Sequence, residues 1–586
     1  MKILLVIIDF LRTRFSEKQF LIISSILVGT SSGIAAILLK LFVHTISQFV
    51  ATYSNSYEKY FLYTIFPLIG IGFTVFIIQR FFRKTFHRGS AEIVYSITKE
   101  SSILPHAQAF SQLITSALTV GFGGSAGLES PMVSAGASIG SNFSQTFRLD
   151  YKARTLLLAC GSAAGIAAAF NAPIAGVLFA IEVLLTDVTL SAFLPLIIAA
   201  ATGALLTKVI LKEGVLLSFS LQQPFDYRNV PFYTLLGILA GLVSTYYART
   251  FTYVESKFNT IRRPYLRVLL GGLMLSVLLI LFPPLYGEGY ESIKVISTLQ
   301  IEKLIDGNSL ENVWSSPWLL LAFVSLLMVV KVFATAFTLG AGGNGGNFAP
   351  SLCVGAYLGF SFSRLVNMTG ISSVPESNFT LVAMAGILSG IFYAPLTAIF
   401  LIVEITGGYE LMIPLMIVSA LSNVVAHYFE PLSMEAKKLS KKLKLSIDDK
   451  DKLLLSRLDF SEMIETDFQI IEVNGFLRDL VTAISKSKRN VFPVVNQESE
   501  LVGLIQLDDV RSLIFNHDQY DSITIKEIMT APQETLTLDE NLHSVLTKFD
   551  TSNLWSIPVT DNKKYAGFLS KSSILSKYRS ELLKAI

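Results

Sequence analysis

The chain has 586 residues, of which 52% are hydrophobic and 16% charged, with a formal net charge of +3. Soluble domains carry about 25% charged residues, so a wholly soluble protein is excluded, and the small net charge excludes an electrostatic nucleic-acid binder. Cys160 and Cys353 sit in apolar or Gly-rich stretches with no second thiol nearby, which argues against disulfide and thiolate-metal chemistry and for small buried hydrophobes.

In chain order, residues 1–19 contain a short apolar run broken by Asp9, Arg12 and Arg14 and no small-residue cleavage pattern, so a cytoplasmic amphipathic helix is expected. A spanning helix needs about 20 apolar residues, and the stretches near 20–50 and 60–82 satisfy this. Arg80, Arg83, Lys84, His87 and Arg88 place the following loop in the cytoplasm by the positive-inside rule. Later apolar stretches near 105–121, 132–147, 153–170, 173–186, 350–367, 378–391 and 394–406 alternate with longer ones near 190–212, 231–255, 265–285, 316–339 and 410–428. Short apolar pieces between Gly/Pro breaks predict half-helices or re-entrant segments, which a bilayer tolerates only where protein or a water-filled cavity shelters the main chain. Residues 286–315, with Glu288, Glu291, Lys294, Glu302 and Asp306, read as the longest polar insertion, on the outer side. The expected membrane domain is 20–434, followed by a linker at 435–455 and a soluble α/β region at 456–586.

The membrane region repeats itself. Phe170, Ala172, Pro173 and Glu182 recur as Phe392, Ala394, Pro395 and Glu404, each 222 positions on, and Pro131 recurs 219 positions on as Pro350. The halves fall at about 20–212 and 231–432. Interrupted apolar segments at matching positions of two halves point to a binding site at the bilayer midplane. Gly123-Gly124-Ser125-Ala126-Gly127 and Gly342-Gly343-Asn344-Gly345-Gly346 each lead into a helix start closed by a proline. Unpaired main-chain N–H groups at a helix N-terminus favour an anion, and glycine lets the chain approach it closely. A Gly-rich break is ordinarily a loop or a packing contact; two of them in equivalent places imply a shared site. Glu129, a carboxylate in such a site, costs several kcal/mol unless compensated and has the properties of a gate: ionised it competes with the anion, protonated or displaced it leaves.

These motifs resemble the CLC chloride channels and anion/proton exchangers across residues 20–435: Gly127-x-Glu129-x-Pro131, Gly346-Asn347-Phe348-Ala349-Pro350, Ala169-Phe170-Asn171-Ala172-Pro173-x-Ala175-Gly176 and Lys331-x-x-x-Thr335-x-x-Thr338. The resemblance implies an all-α polytopic domain with inverted repeats, Glu129 as the gate, and amides of Asn347 and Phe348 around a central chloride ion. It further implies outer-site amides from Leu128 to Ser130 and at Ala349, and a lipid-embedded homodimer with one pathway per subunit. The compact loops suggest a bacterial inner or plasma membrane. Departures concern the inner end. The family's serine position falls on Arg88, or on Ser90 in a looser match, and its inner tyrosine is replaced by Glu435, or by Ser433 when counted from Pro431. Where many exchangers have a second acid after the position of Glu182, Val183 stands here, which leaves proton-coupled exchange and a passive channel both open. A fluoride-selective relative is disfavoured by the ordinary Gly-Asn-Phe-Ala-Pro motif. Glu182 and Glu404, being repeat-equivalent, read as structural groups at helix ends.

The soluble region repeats at about 65 residues: Phe492-Pro493-Val494-Val495 with Gly503 returns as Ile557-Pro558-Val559 with Gly567, and Met463 as Met529. It resembles tandem CBS domains, expected on the cytoplasmic side. By that resemblance an adenine nucleotide would meet Asp509 in the first unit and Ser570 in the second, but Gln506 and Ser573 depart from the pattern, which favours a structural, dimer-stabilising role. A CBS-bearing magnesium transporter would need clustered intramembrane carboxylates, and a membrane protease His-Glu-x-x-His; neither pattern occurs, and no enzymatic chemistry is expected.

Overall fold

The computed structural model describes residues 16–54, 60–83, 85–86, 89–185, 190–211, 224–299, 316–443 and 460–585, apart from 539, 541, 553 and 562. Most of the expected helix at 1–19 and of the linker at 435–455 therefore lies outside the described residues. Two compact units emerge, Met1–Lys442 and Leu443–Ile586.

The first unit is helical: α1 (Glu17–Ser54), α2 (Tyr60–Ile77), α3 (Ser90–Lys99), α4 (Ala107–Gly121), α5 (Glu129–Thr146), α6 (Tyr151–Phe170), α7 (Pro173–Phe179) and α8 (Leu190–Leu211) form the first half. The second half holds α9 (Val230–Thr260), α10 (Pro264–Leu281), α11 (Tyr290–Ser297), α12 (Pro317–Gly340), α13 (Phe348–Thr369), α14 (Glu376–Phe392), α15 (Pro395–Thr406), α16 (Met412–Phe429) and α17 (Met434–Leu443). Eight helices among the described residues are long and apolar enough to cross a bilayer, and 173–184, 376–392 and 395–406 are the shorter apolar pieces that the Gly/Pro breaks predict.

The sequence repeat is also a repeat of backbone geometry. Asn171 and Tyr393, 222 positions apart, both end a helix in the left-handed region, at φ 55° and 57°. Gly123 and Gly342, 219 apart, take φ 94° and 115°, a conformation that L side chains rarely adopt. Both halves pack a helix pair through a Gly-x-x-x-Gly stripe: Gly136 and Gly140 of α5 lie against the main chain of Gly161 and Leu157 in α6, and Gly355 and Gly359 of α13 against Met384 and Phe379 in α14. A Cβ added at Gly136 would stand 2.1 Å from the Gly161 carbonyl oxygen. Small residues admit such contact, which drives association where lipid offers no hydrophobic contrast.

Glu182 and Glu404 hold the two halves together reciprocally. Glu404, near the end of α15, accepts from the Ile174 and Ala175 N–H groups at the start of α7, both at 2.9 Å. Glu182 accepts from Leu396 at 3.0 Å and Thr397 at 2.7 Å at the start of α15. Each carboxylate satisfies orphan donors of the other half's helix. Lys40 of α1 donates to the Ala168 and Ala169 carbonyls near the end of α6, at 3.0 and 2.7 Å, the helix end that favours a cation.

The second unit holds two three-stranded sheets, β1 (Ile471–Glu472), β2 (Val491–Val495) and β3 (Leu501–Gln506), then β4 (Leu536–Thr537), β5 (Ser556–Asp561) and β6 (Lys564–Ser570). In each, the first two strands run parallel and the last two antiparallel, and Val494 opposite Gly503 matches Val559 opposite Gly567. Glu465 bridges to Phe568 on β6, and Thr530 to Leu504 on β3.

Gly136→Ala or Gly161→Ala should destabilise the membrane unit by about 1–3 kcal/mol, the usual cost of overpacking, read as a lower thermal midpoint of the detergent-solubilised protein. Glu404→Ala should cost about 1–3 kcal/mol by stranding two main-chain donors, and Glu182→Ala should match it; a change confined to one of the two would contradict their reciprocal role.

Candidate anion site between two helix N-termini

The Gly-rich breaks meet. Gly127 N–H donates to the Gly346 carbonyl at 2.9 Å and Gly346 N–H returns the bond to Gly127 at 2.8 Å. Around this two-residue bridge the exchange continues: Ser125 N–H donates to Thr338 Oγ1 at 3.1 Å, and its repeat mate Asn344 N–H to Thr119 Oγ1 at 2.9 Å. The loops are pinned to the opposite half by their own main chain, so α5 and α13 start beside one another.

The first N–H groups of an α-helix have no intrahelical acceptor, and at the third position Pro131 and Pro350 carry none. The donors left at the two helix starts are therefore those of Glu129 and Ser130 in α5 and of Phe348 and Ala349 in α13. A cavity of about 70 Å³ lies against the first three of these, and among its lining residues are Ser90, Glu129, Ser130, Asn347, Phe348 and Glu435. Six of the residues singled out from the sequence thus share one space. Leu128 and Ala349 are buried behind it, at 4% and 0% exposure; the Leu128 N–H donates to Glu288 Oε1 at 3.3 Å. Arg88 lies outside the described residues.

Glu129 is 3% exposed. Its Oε1 accepts from the Tyr290 hydroxyl. Its Oε2 lies against Gly127, within reach of the Ala349 main-chain N–H. A Cβ on Gly127 would stand 2.1 Å from that oxygen, so glycine is what admits the carboxylate here. The Asn347 amide oxygen accepts from Tyr247 at 3.2 Å. Phe348 is surrounded by aromatic rings, with centroids 5.4 Å away at Phe170 and 5.5 Å at Phe392, a repeat-related pair.

The other end of the cavity is charged. Glu435, at the start of α17, accepts through Oε2 from Ala91 N at 3.2 Å in the first turn of α3. Lys438 pairs with Glu255 of α9 at 3.0 Å and Lys442 with Glu92 of α3 at 2.6 Å. Three contacts thus tie α17 across the mouth, and Glu255 and Lys438 line the cavity too. Sequence reasoning passed over Glu255, Lys438 and Tyr290, whose contacts arise from elements distant in the chain. It also placed Glu288 in a polar outer loop. In the fold, residues 286–297 turn inward because Lys331, fully buried on α12, donates to the carbonyls of Leu285 at 3.2 Å and Gly287 at 3.3 Å and to Ser125 Oγ at 2.9 Å.

In the second unit Asp509 is exposed in the short helix Leu507–Val510. Ser570 donates to Glu465 Oε1 at 2.5 Å, and Glu465 pairs with Arg489 at 2.7 Å. Arg489 also bonds the exposed Asp467 and holds its carboxyl below the usual range.

Residues 70–427 match the family described as voltage gated chloride channel, and residues 525–580 match the CBS domain. The chain belongs to the CLC family. It is 30% identical over 364 residues to a chloride channel protein described as ClcB-like from Ralstonia nicotianae, covering 60% of this chain and 80% of that one. It is 30% identical over 306 residues to the H(+)/Cl(-) exchange transporter ClcA of Vibrio cholerae, covering 50% and 61%. A slow cyanobacterial Cl-/H+ antiporter shares the fold at TM-score 0.64 and 21% identity, over 73% of this chain and 99% of that chain. A eukaryotic CLC transporter does so at 0.62 and 18%, over 95% and 99%.

Tyr290→Phe removes the donor to Glu129 Oε1. Because a hydrogen bond to an ionised carboxylate favours the charged form, anion flux from liposomes should rise at a higher pH than in the unmodified chain, with the shift read from flux–pH curves.

Proposed function

We propose that the protein moves chloride across a membrane by a CLC-type pathway, with Glu129 as gate and protons as the counter-transported species. The observation that carries the reading is the seat of Glu129: a buried carboxylate set against the main chain where two helix starts converge. A carboxylate and a chloride are both anions suited to helix-start amides, so one leaves as the other enters. Protonation removes the carboxylate's claim on the amides, and this links anion entry to proton uptake. The amides of Asn347 and Phe348 would hold the central anion, with those of Leu128, Ser130 and Ala349 nearer the outer end. Ser90 and Glu435 stand at the inner mouth, and Arg88 precedes them in the chain. Relatives named as a chloride channel and as an H(+)/Cl(-) exchanger support the substrate. The proposed assembly is a homodimer in a bacterial plasma membrane, with the CBS pair in the cytoplasm as a structural module; Asp509 and Ser570 mark where an adenine nucleotide would be tested.

Val183 favours a second reading, a passive chloride channel, because it stands where an inner acid would relay protons. One measurement separates the two. In liposomes with a chloride gradient and simultaneous pH recording, exchange drives protons uphill; rapid chloride flux without uphill proton movement establishes the channel. Glu129→Gln, which mimics the protonated acid, and Glu129→Ala should each abolish the steep acid activation of flux. Wild-type pH dependence in both would remove Glu129 from the gate.

A further inference from the structure

Glu288 is an acid that the reading above does not use. It lies between α10 and α11, two residues before Tyr290, the donor to Glu129. It is partly buried, whereas Glu129 is buried, and its Oε1 accepts from the N–H of Leu128, the residue that precedes Glu129. Two carboxylates therefore attend the same helix start: Glu129 as its first residue, Glu288 on the main-chain amide just ahead of it. The peptide bearing Glu288 is fixed on both sides. Cys353 of α13 donates its thiol to the Glu288 carbonyl at 3.4 Å, and Lys331 holds the Gly287 carbonyl. A Cβ at Gly289 would stand 2.4 Å from the Cys353 sulfur, so the loop has no room to slide.

The charged and titratable groups acting on Glu288 are Glu129 of α5, Lys40 of α1 and Lys331 of α12, with Tyr290 of α11 and Cys353 of α13 in the same enclosure. The two lysines allow one negative charge to persist there, and a second carboxylate in the same enclosure is opposed by the first. Like charges sharing a site resist joint ionisation and titrate as a pair.

We propose that Glu288 is a positioning acid for the gate: bonded to the Leu128 amide and competing with Glu129 for the one negative charge the enclosure keeps, it sets the pH at which Glu129 takes up a proton and releases the anion site. The proton taken up ends on the Glu129 carboxylate. This rests on the gate reading above and adds a second residue to it.

The sign follows from the charges. Removing the Glu288 charge relieves the repulsion on ionised Glu129 and leaves Lys331 less compensated, and both effects demand more acid to protonate the gate. In chloride efflux from liposomes reconstituted with the full chain, Glu288→Gln should move the midpoint of the flux–pH curve about one pH unit to the acid side, the scale of a neighbouring-charge effect. Gln keeps an acceptor for the Leu128 N–H; Glu288→Ala is a second charge-free variant and should shift the same way, while Glu288→Asp should stay near wild type. A purely structural residue would change the rate or the thermal midpoint and leave the pH midpoint in place. If Glu129→Ala flattens the curve but neither charge-free variant moves it, the inference about Glu288 is overturned and the gate stands. If the curve survives Glu129→Ala, the gate reading itself is lost.

Discussion

Two main-chain hydrogen bonds between Gly127 and Gly346 are the contact on which the rest depends. They are the place where one half of the membrane unit touches its repeat mate through identical atoms, and they set α5 and α13 start to start. Everything assigned to the anion pathway follows from that meeting. The amides at the two helix ends have no partner within their helices, and in a lipid environment an unsatisfied donor costs several kcal/mol, so the site calls for an anionic occupant.

The fold supplies such occupants from its own acids at several helix starts. Glu404 and Glu182 bind the starts of α7 and α15, Glu435 binds the start of α3, and Glu288 binds the Leu128 amide ahead of α5. The difference among them is what surrounds the carboxylate. Glu182 and Glu404 each accept from two main-chain donors, which suits permanent clamps. Glu129 instead lies at the meeting of two helix starts, beside the cavity, with the Tyr290 hydroxyl on one oxygen, which suits a group that exchanges places with an anion. One physical motif, a carboxylate on helix-end amides, thus serves as a fastener at the domain's seam and as the proposed movable part at its centre.

Much of this was legible in the chain. The 222-residue offset linking Phe170 to Phe392 and Glu182 to Glu404 announces a duplicated element, and short apolar pieces ending in Gly or Pro announce half-helices. Glu129 stands out because a charge in an apolar context is costly. Glu288 was illegible for the opposite reason: beside Glu291 and Lys294 it looks like any solvated loop acid, and nothing local signals that Lys331, some forty residues later, pulls the loop inward. Glu255 and Lys438 were hidden likewise, each an ordinary charge on its own helix that acquires meaning from its partner 183 positions away.

By itself, then, the sequence determined the class of protein, the all-α membrane unit with its duplicated halves and the α/β pair after it, because hydropathy, breaks and repeat offsets are local or periodic properties. Tertiary structure alone decided which groups share the cavity, that Glu182 and Glu404 clamp each other's helices, and that Glu288 stands beside Glu129. Those are contacts between residues more than a hundred positions apart, and their geometry comes from how two halves pack about a common centre, which no stretch of chain carries alone.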